Sequence, residues 1–231
     1  MPRIARVVAA EYPHHITQRG NYRQKIFSSD ADYKKYIALL RDEAKRYYLT
    51  VVAYCLMPNH VHLIGIPQKE DSMGKVFKYV NMKYSQYYNK KMHVSGHLFQ
   101  GRFFSCIIDE QHTIACVRYI ERNPVRARMV NNPCLWESSS AKVHCEVNKY
   151  DELGVNKLFD YIEYNQKDWK KFIELSDNPD EIKQIRESTR KGRPLGSSDF
   201  IEKLERKLNR FLRLKPKGRP KKKYKWCLSL F

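Results

Sequence analysis

In the run Met57-Pro58-Asn59-His60-Val61-His62-Leu63-Ile64, two histidines stand one residue apart inside an apolar, strand-forming stretch. A strand turns successive side chains to opposite faces, so His60 and His62 share one face while Val61 and Leu63 take the other. Two imidazoles on one face, about 7 Å apart along the chain, can converge on one cation. Tyr119 and Asn123 lie at i and i+4 of a helical pattern and share a side, so a phenol could attack while an amide helps hold the cation. At about 100° per residue, Ile114, Val117 and Ile120 form an apolar arc whose centre lies roughly 160° from Tyr119, while Asn123 sits about 40° from Tyr119. This predicts that Tyr119 points away from the packed stripe. Pro124 biases Asn123 away from helical dihedrals and predicts that the helix stops there.

Each feature alone has a plainer reading. An isolated H-x-H is more often an ordinary surface or hydrogen-bonded pair, and a tyrosine in a chain with sixteen of them is more often a packing or stacking residue. A structural zinc site using Cys55, His60, His62 and Cys106 is a further alternative.

The elements that must position these residues follow from periodicity and turn chemistry. Tyr12 to Arg19 reads as a strand closed by Gly20-Asn21. Ser29 and Asp32 resemble a capping box, and Tyr33, Ile37, Leu40 and Ala44 mark a helix of about Asp30 to Tyr47. Leu49 to Leu56 and His60 to Ile66 form a hairpin around Pro58-Asn59, followed by a helix of about Met73 to Lys90. Phe103 to Asp109 is a fourth strand and Thr113 to Arg122 a third helix. The order β-α-β-β-α-β-α predicts an α+β fold: a ferredoxin-like split βαβ with an antiparallel sheet, an added catalytic helix and a helical basic C-terminal extension. Short helices are expected at Leu158 to Glu163, Asp168 to Leu175 and Pro179 to Glu187, and a final one at Ser198 to Leu212. Three segments result: 1–133 carrying the chemistry, 134–188 a polar helical connection, and 189–231 a basic tail.

The 231 residues carry 44 Lys and Arg against 25 Asp and Glu, a net +19 that favours a polyanionic partner such as nucleic acid. From Arg190 to Lys225 there are fifteen basic and three acidic residues, so +12 of that charge lies in the tail. Six cysteines without a C-x-x-C pair, and an N-terminus leading into no apolar signal segment, predict free thiols in a reduced, cytoplasmic setting. No run reaches the roughly 18 apolar residues of a membrane span, so membrane insertion is not expected.

Four motifs in order, His15-x-Thr17-x-Arg19-Gly20, His60-Val61-His62, Gly101-Arg102-Phe103 and Tyr119-Ile-Glu-Arg-Asn123-Pro124-Val125-x-Ala127, resemble the single-tyrosine HUH transposases over about residues 10 to 135. The tail Thr189-Arg-Lys-Gly-Arg-Pro-Leu-Gly196 with Gly-Arg-Pro-Lys at 218–221 looks like the subgroup associated with repetitive extragenic palindromes, bacterial and nucleoid-associated. The resemblance implies that Tyr119 attacks a phosphodiester in single-stranded DNA near a hairpin, giving a 5′-phosphotyrosine and a free 3′-hydroxyl. It implies Mg²⁺ or Mn²⁺ on His60 and His62, with Asn123 or else His97 as third ligand. A non-catalytic hairpin-binding regulator is the alternative. The subgroup implies a monomer, and related transposases a dimer.

Arg19, Arg23 and Lys25 after the first strand, and Arg102, Arg126 and Arg128 around the site, are candidate phosphate contacts. Arg190, Lys191, Arg193, Lys217 and Arg219 form the corresponding set in the tail, where Lys-Gly-Arg-Pro could enter a minor groove or act as a generic electrostatic arm. Tyr12, Tyr22, Phe103 and Phe104 are candidate stacking residues, although Phe103 and Phe104 must face opposite ways and at least one belongs to the core. His14 and His15 are expected to be structural or to face DNA.

Overall fold

A four-stranded antiparallel sheet organises the computed structural model, which describes residues 6–146 and 150–213. The elements run β1 His14–Arg19, α1 Asp30–Arg46, β2 Leu49–Met57, β3 His60–Pro67, α2 Ser72–Met92, β4 Phe104–Ile107 and α3 Glu110–Glu121. Five helices follow: α4 Asn123–Arg126, α5 Ala141–Cys145, α6 Gln166–Glu174, α7 Pro179–Lys191 and α8 Ser198–Leu208. The sheet order is β2-β3-β1-β4 with all neighbours antiparallel, the split βαβ pattern expected from the sequence. The two-residue turn at Pro58-Asn59 pairs Met57 with His60 and so fixes which face each histidine takes.

One face of the sheet buries Ile16, Leu56, Val61 and Leu63 against Leu40 of α1 and Val76, Val80 and Tyr84 of α2. Ser29 and Asp32 form the expected capping box at the start of α1, and Asp32 also receives Lys91 of α2 at 2.6 Å, which ties the two helices together. The opposite face carries Cys55, Met57, Ile64 and Cys106, covered by Cys116, Val117 and Ile120 of α3 and by Trp169, Ile173 and Ile185 from α6 and α7.

The boundaries differ from expectation where caps decide them. Asp109 accepts from the His112 amide at 2.8 Å, so α3 starts at Glu110 rather than Thr113. Asn123 is helical: Arg122, at φ −84° and ψ 0°, absorbs the bend, and Pro124 sits in the first turn of α4, where its missing N–H costs nothing. Val155–Asp160 is a 3₁₀ turn in place of the helix expected at Leu158 to Glu163, and Ala141–Cys145 adds a helix that the polar sequence did not announce. α7 runs on to Lys191, ended by Gly192 at φ 64°, and α8 stops at Leu208 because Asn209 turns left-handed.

The apolar arc gave a misleading direction for Tyr119. α3 is covered on both sides, by the sheet and by α5 to α7, so Thr113, Cys116, Tyr119 and Glu121 are buried as well as Val117 and Ile120. Tyr119 therefore faces inward to the sheet rather than away from the packed stripe.

Candidate active site

Strand register assembles the floor of the site. Arg19 lies opposite His60 and Thr17 opposite His62, while Phe104 on β4 lies opposite Thr17. Opposite residues share a face, so Arg19, Thr17, His15 and Phe104 project to the same side as the two histidines. Tyr119 and Asn123 come down onto this floor from α3 and α4. Arg186, Thr189 and Arg190 close it from α7, and Gln100 completes the rim. The cavity, open to solvent on one side, is about 450 Å³, enough for a nucleotide phosphate and an ion.

The imidazoles of His60 and His62 meet edge to face with ring centres 5.0 Å apart, and the Tyr119 ring stands edge-on to His62 at 5.6 Å and to His15 at 5.8 Å. The Arg186 Nε donates to the Tyr119 hydroxyl at 3.4 Å. Behind the ring, the Arg126 guanidinium lies 4.4 Å from its centre, donates to the Tyr119 carbonyl and pairs with Asp177.

Burial holds all three cavity histidines neutral. It pushes His15 down to about 3 and His60 to about 4, the latter helped by the Arg19 charge. His62 falls well below the ordinary histidine value through burial and the charges of its neighbours. Neutral imidazoles are the form that ligates metal. Both inner nitrogens are engaged by protein, His60 Nδ1 with Asn59 Oδ1 at 2.6 Å and His62 Nδ1 with His15 Nε2 at 2.9 Å. Each Nε2 is thus the nitrogen left for a ligand. Among the described residues no three His, Cys, Asp or Glu side chains converge as a metal cluster, and the Cys55 and Cys106 thiols pair with Met57 and Thr189. The buried Asn123 amide nitrogen has no protein partner, so this amide remains available beside the pair, to a cation through its oxygen or to a phosphate through its nitrogen. Two imidazoles, an amide and open space fit a divalent ion whose shell is completed by phosphate oxygens.

Of the residues picked out from sequence, Tyr119, His60, His62, Asn123, Arg19 and Arg190 meet in this cavity. Arg102 and Lys191 line an adjoining depression of about 200 Å³, together with Arg190. Arg23, Lys25 and Arg128 are exposed but do not border the cavity. Arg126 is turned inward as a brace for Tyr119, and Arg193 donates to the Leu212 carbonyl at 3.2 Å. Lys217 and Arg219 lie outside the described residues. His97 is exposed and does not line the cavity, because the chain turns inward only at Leu98 and Phe99. Phe103 packs in the core while Phe104 is 41% exposed on the cavity wall, and Tyr22 is 93% exposed.

Among the cavity residues, Arg186 went unread in the sequence, because it belongs to a stretch that carries no motif and no local signal places it here. The sequence presents Thr189 only as the start of the basic tail motif, with no indication that it reaches the cavity. His15, expected to be structural or to face DNA, lies two residues from Thr17 on the strand that neighbours β3, so once the register is known it must share the face of His62.

The sequence model of the IS200-like transposases matches residues 9–123. Among solved structures, a REP-associated tyrosine transposase bound to a REP hairpin superposes with a TM-score of 0.54 at 17% identity, over 66% of this chain and 90% of that chain. At that identity the likeness establishes the fold. A candidate transposase from Deinococcus radiodurans R1 is 21% identical over 52% of this chain and 97% of that one, with a TM-score of 0.38, too low to bear on the argument. No curated protein matches the chain. The matched segment runs from the residues leading into β1 as far as Asn123 and takes in His60, His62 and Tyr119, and by this match the chain belongs to the IS200-like transposase family.

Proposed function

We propose that the protein is a metal-dependent endonuclease and strand transferase that cleaves and rejoins single-stranded DNA beside hairpins of the REP-palindrome type, using Tyr119 as nucleophile. The observation that carries this reading is the edge-on placement of the Tyr119 ring against His62, in one cavity with His60, Asn123 and Arg19.

The Tyr119 oxygen forms a bond to phosphorus while the bond from phosphorus to the 3′-oxygen breaks. The phenol proton passes to solvent and the departing oxygen becomes a free 3′-hydroxyl. The phosphodiester becomes a phosphotyrosine ester of similar energy, so rejoining by a 3′-hydroxyl requires no nucleotide. Arg186 donates to the phenolic oxygen and stabilises the charge that develops there. Arg126 locks the ring from behind, and Arg19 offers charge to the phosphate beside His60. His60, His62 and Asn123 would hold Mg²⁺ or Mn²⁺, which when bound polarises the scissile phosphate. Phe104 presents an exposed ring on which an unpaired base can stack. Arg190, Lys191 and the basic residues after them extend the phosphate-binding surface. Nucleophile and imidazoles come from one chain, which supports a monomer.

The test is incubation with a labelled hairpin bearing single-stranded flanks and Mn²⁺, followed by a denaturing gel. A covalent adduct with the native protein and none with Tyr119→Phe, which still binds the hairpin, supports the reading. Binding by both proteins with cleavage by neither would favour the regulator instead.

A further inference from the structure

We propose that Thr189, in α7 and outside the segment shared with the family, sets the tautomer of His62 through His15, so that the His62 Nε2 lone pair faces the cavity. Thr189 and His15 are then positioning residues, and the inference rests on reading His60 and His62 as metal ligands.

The argument follows one proton at a time. Thr189 Oγ1 lies 2.8 Å from the Ile185 carbonyl, which can only accept, so the single hydroxyl proton is committed there. Oγ1 also lies 2.7 Å from His15 Nδ1 and has only lone pairs left for it, so His15 carries its proton on Nδ1. A neutral ring with Nδ1–H has a bare Nε2. That nitrogen lies 2.9 Å from His62 Nδ1, which must donate, and the His62 proton is thereby fixed away from the cavity. The rings are stacked within 9° at 5.1 Å, so neither can rotate without breaking the chain of bonds. Cys106 Sγ, 3.3 Å from Oγ1, can donate to the second hydroxyl lone pair and does not disturb the order.

His60 reaches the same state by a separate route. Asn59 Nδ2 donates to the Arg23 carbonyl at 3.2 Å, which turns Oδ1 toward His60 Nδ1 at 2.6 Å and makes that nitrogen the donor. With the opposite tautomer, His62 would aim an N–H at the cation and ligation would first require moving that proton. Partners of this kind fix the ring that ligates. Docking of the last turn of α7 is thus a condition for a preset metal site, although α7 supplies no ligand.

The experiment uses the full chain labelled with ¹⁵N-histidine, metal-free, together with Thr189→Val and Thr189→Ser. Ring-nitrogen NMR reports the tautomers, and Mn²⁺ titration followed by electron paramagnetic resonance reports affinity. The expected result is Nδ1–H on His15 and His62 in the native protein, a shift of His62 toward Nε2–H in Thr189→Val, and Mn²⁺ affinity weaker by about 10- to 100-fold in that variant. Thr189→Ser, which keeps the hydroxyl, should restore both. A native His62 protonated at Nε2 overturns the proposal, as does a Thr189→Val variant with native tautomer and affinity. If Thr189→Val does not fold, the native tautomer decides. Correct tautomers that move with Thr189→Val, in a protein that binds no Mn²⁺, would uphold the relay and contradict the metal reading.

Discussion

Glu121 on α3 and His144 on α5 form a hydrogen-bonded ion pair at 2.5 Å with both side chains sealed from solvent. The same carboxylate accepts from Ser140 Oγ at 2.5 Å and from the Trp169 indole at 3.0 Å, so one residue two positions from Tyr119 pins α3 to the layer above it. Arg118 and Arg122 add to this by donating to the Phe172, Ile173, Leu175 and Ser176 carbonyls at the C-terminal end of α6. Removing the carboxylate leaves His144 Nδ1 and the buried Trp169 indole N–H without their acceptor, while Ser140 Oγ keeps its bonds to the Tyr54 backbone. Glu121→Ala should cost about 3–5 kcal/mol in urea denaturation; a loss below about 1 kcal/mol would mean that the layer is held by apolar contact alone.

The pair also carries a pH signature. Burial lowers the His144 pKa, but the Glu121 charge and hydrogen bond and the Val155 carbonyl outweigh it, and the net direction is upward from 6.5. A raised folded-state value contributes stability that is full below the unfolded value and is lost as pH rises through the folded one. Thermal melts should therefore show stability falling on the alkaline side of 6.5, and His144→Asn should flatten that limb. An equally steep limb in the variant would assign it to another group.

Arg186 is the one side chain hydrogen-bonded to the Tyr119 hydroxyl among the described residues. If it stabilises the attacking oxygen, Arg186→Ala should slow single-turnover cleavage by about 10- to 100-fold, the value of a hydrogen bond to a charged group, with hairpin affinity little changed. An unaltered rate paired with weaker binding would make it a phosphate contact.

Gly20 illustrates how closely the loop after β1 is packed on the hairpin that carries the histidines. Its amide donates to the Asn59 carbonyl at 2.9 Å, and a Cβ placed there would meet the Gln24 carbonyl oxygen at 2.4 Å. Gly20→Ala should lose about 1–3 kcal/mol through overpacking and shift the Asn59–His60 turn. Unchanged stability and unchanged His60 resonances would show that the loop yields.

Legibility divides along the chain. The alternation in His60-Val61-His62, the β-branched run before it and the Pro58-Asn59 turn were enough to place both imidazoles on one face, because strand parity is a local property. The Ser29–Asp32 capping box was legible for the same reason, whereas the sheet, whose β1 pairs with the distant β3 and β4, was legible only through the succession of elements, which matches the split βαβ pattern. The direction of Tyr119 was not: an apolar arc identifies the covered side of a helix only when one side is covered, and α3 is enclosed between the sheet and α6. Arg186 and Thr189 reach the cavity through tertiary packing of α7, and nothing in their neighbourhood of the sequence encodes that destination.

Arg19 offers a separable test of DNA contact. Lying opposite His60 on the cavity floor, it should act as a phosphate contact, so Arg19→Ala should weaken hairpin binding for all sequences alike. It should also reduce the slope of log affinity against log salt by about 0.7–0.9. A native slope would place the DNA elsewhere.

The most direct measurement is mass spectrometric mapping of the protein after reaction with a hairpin substrate. The account predicts a single modified residue, Tyr119, esterified to the 5′-phosphate of the downstream fragment, with a 3′-hydroxyl on the upstream one. Cleaved DNA with an unmodified Tyr119 peptide, or an adduct on another tyrosine, would contradict it.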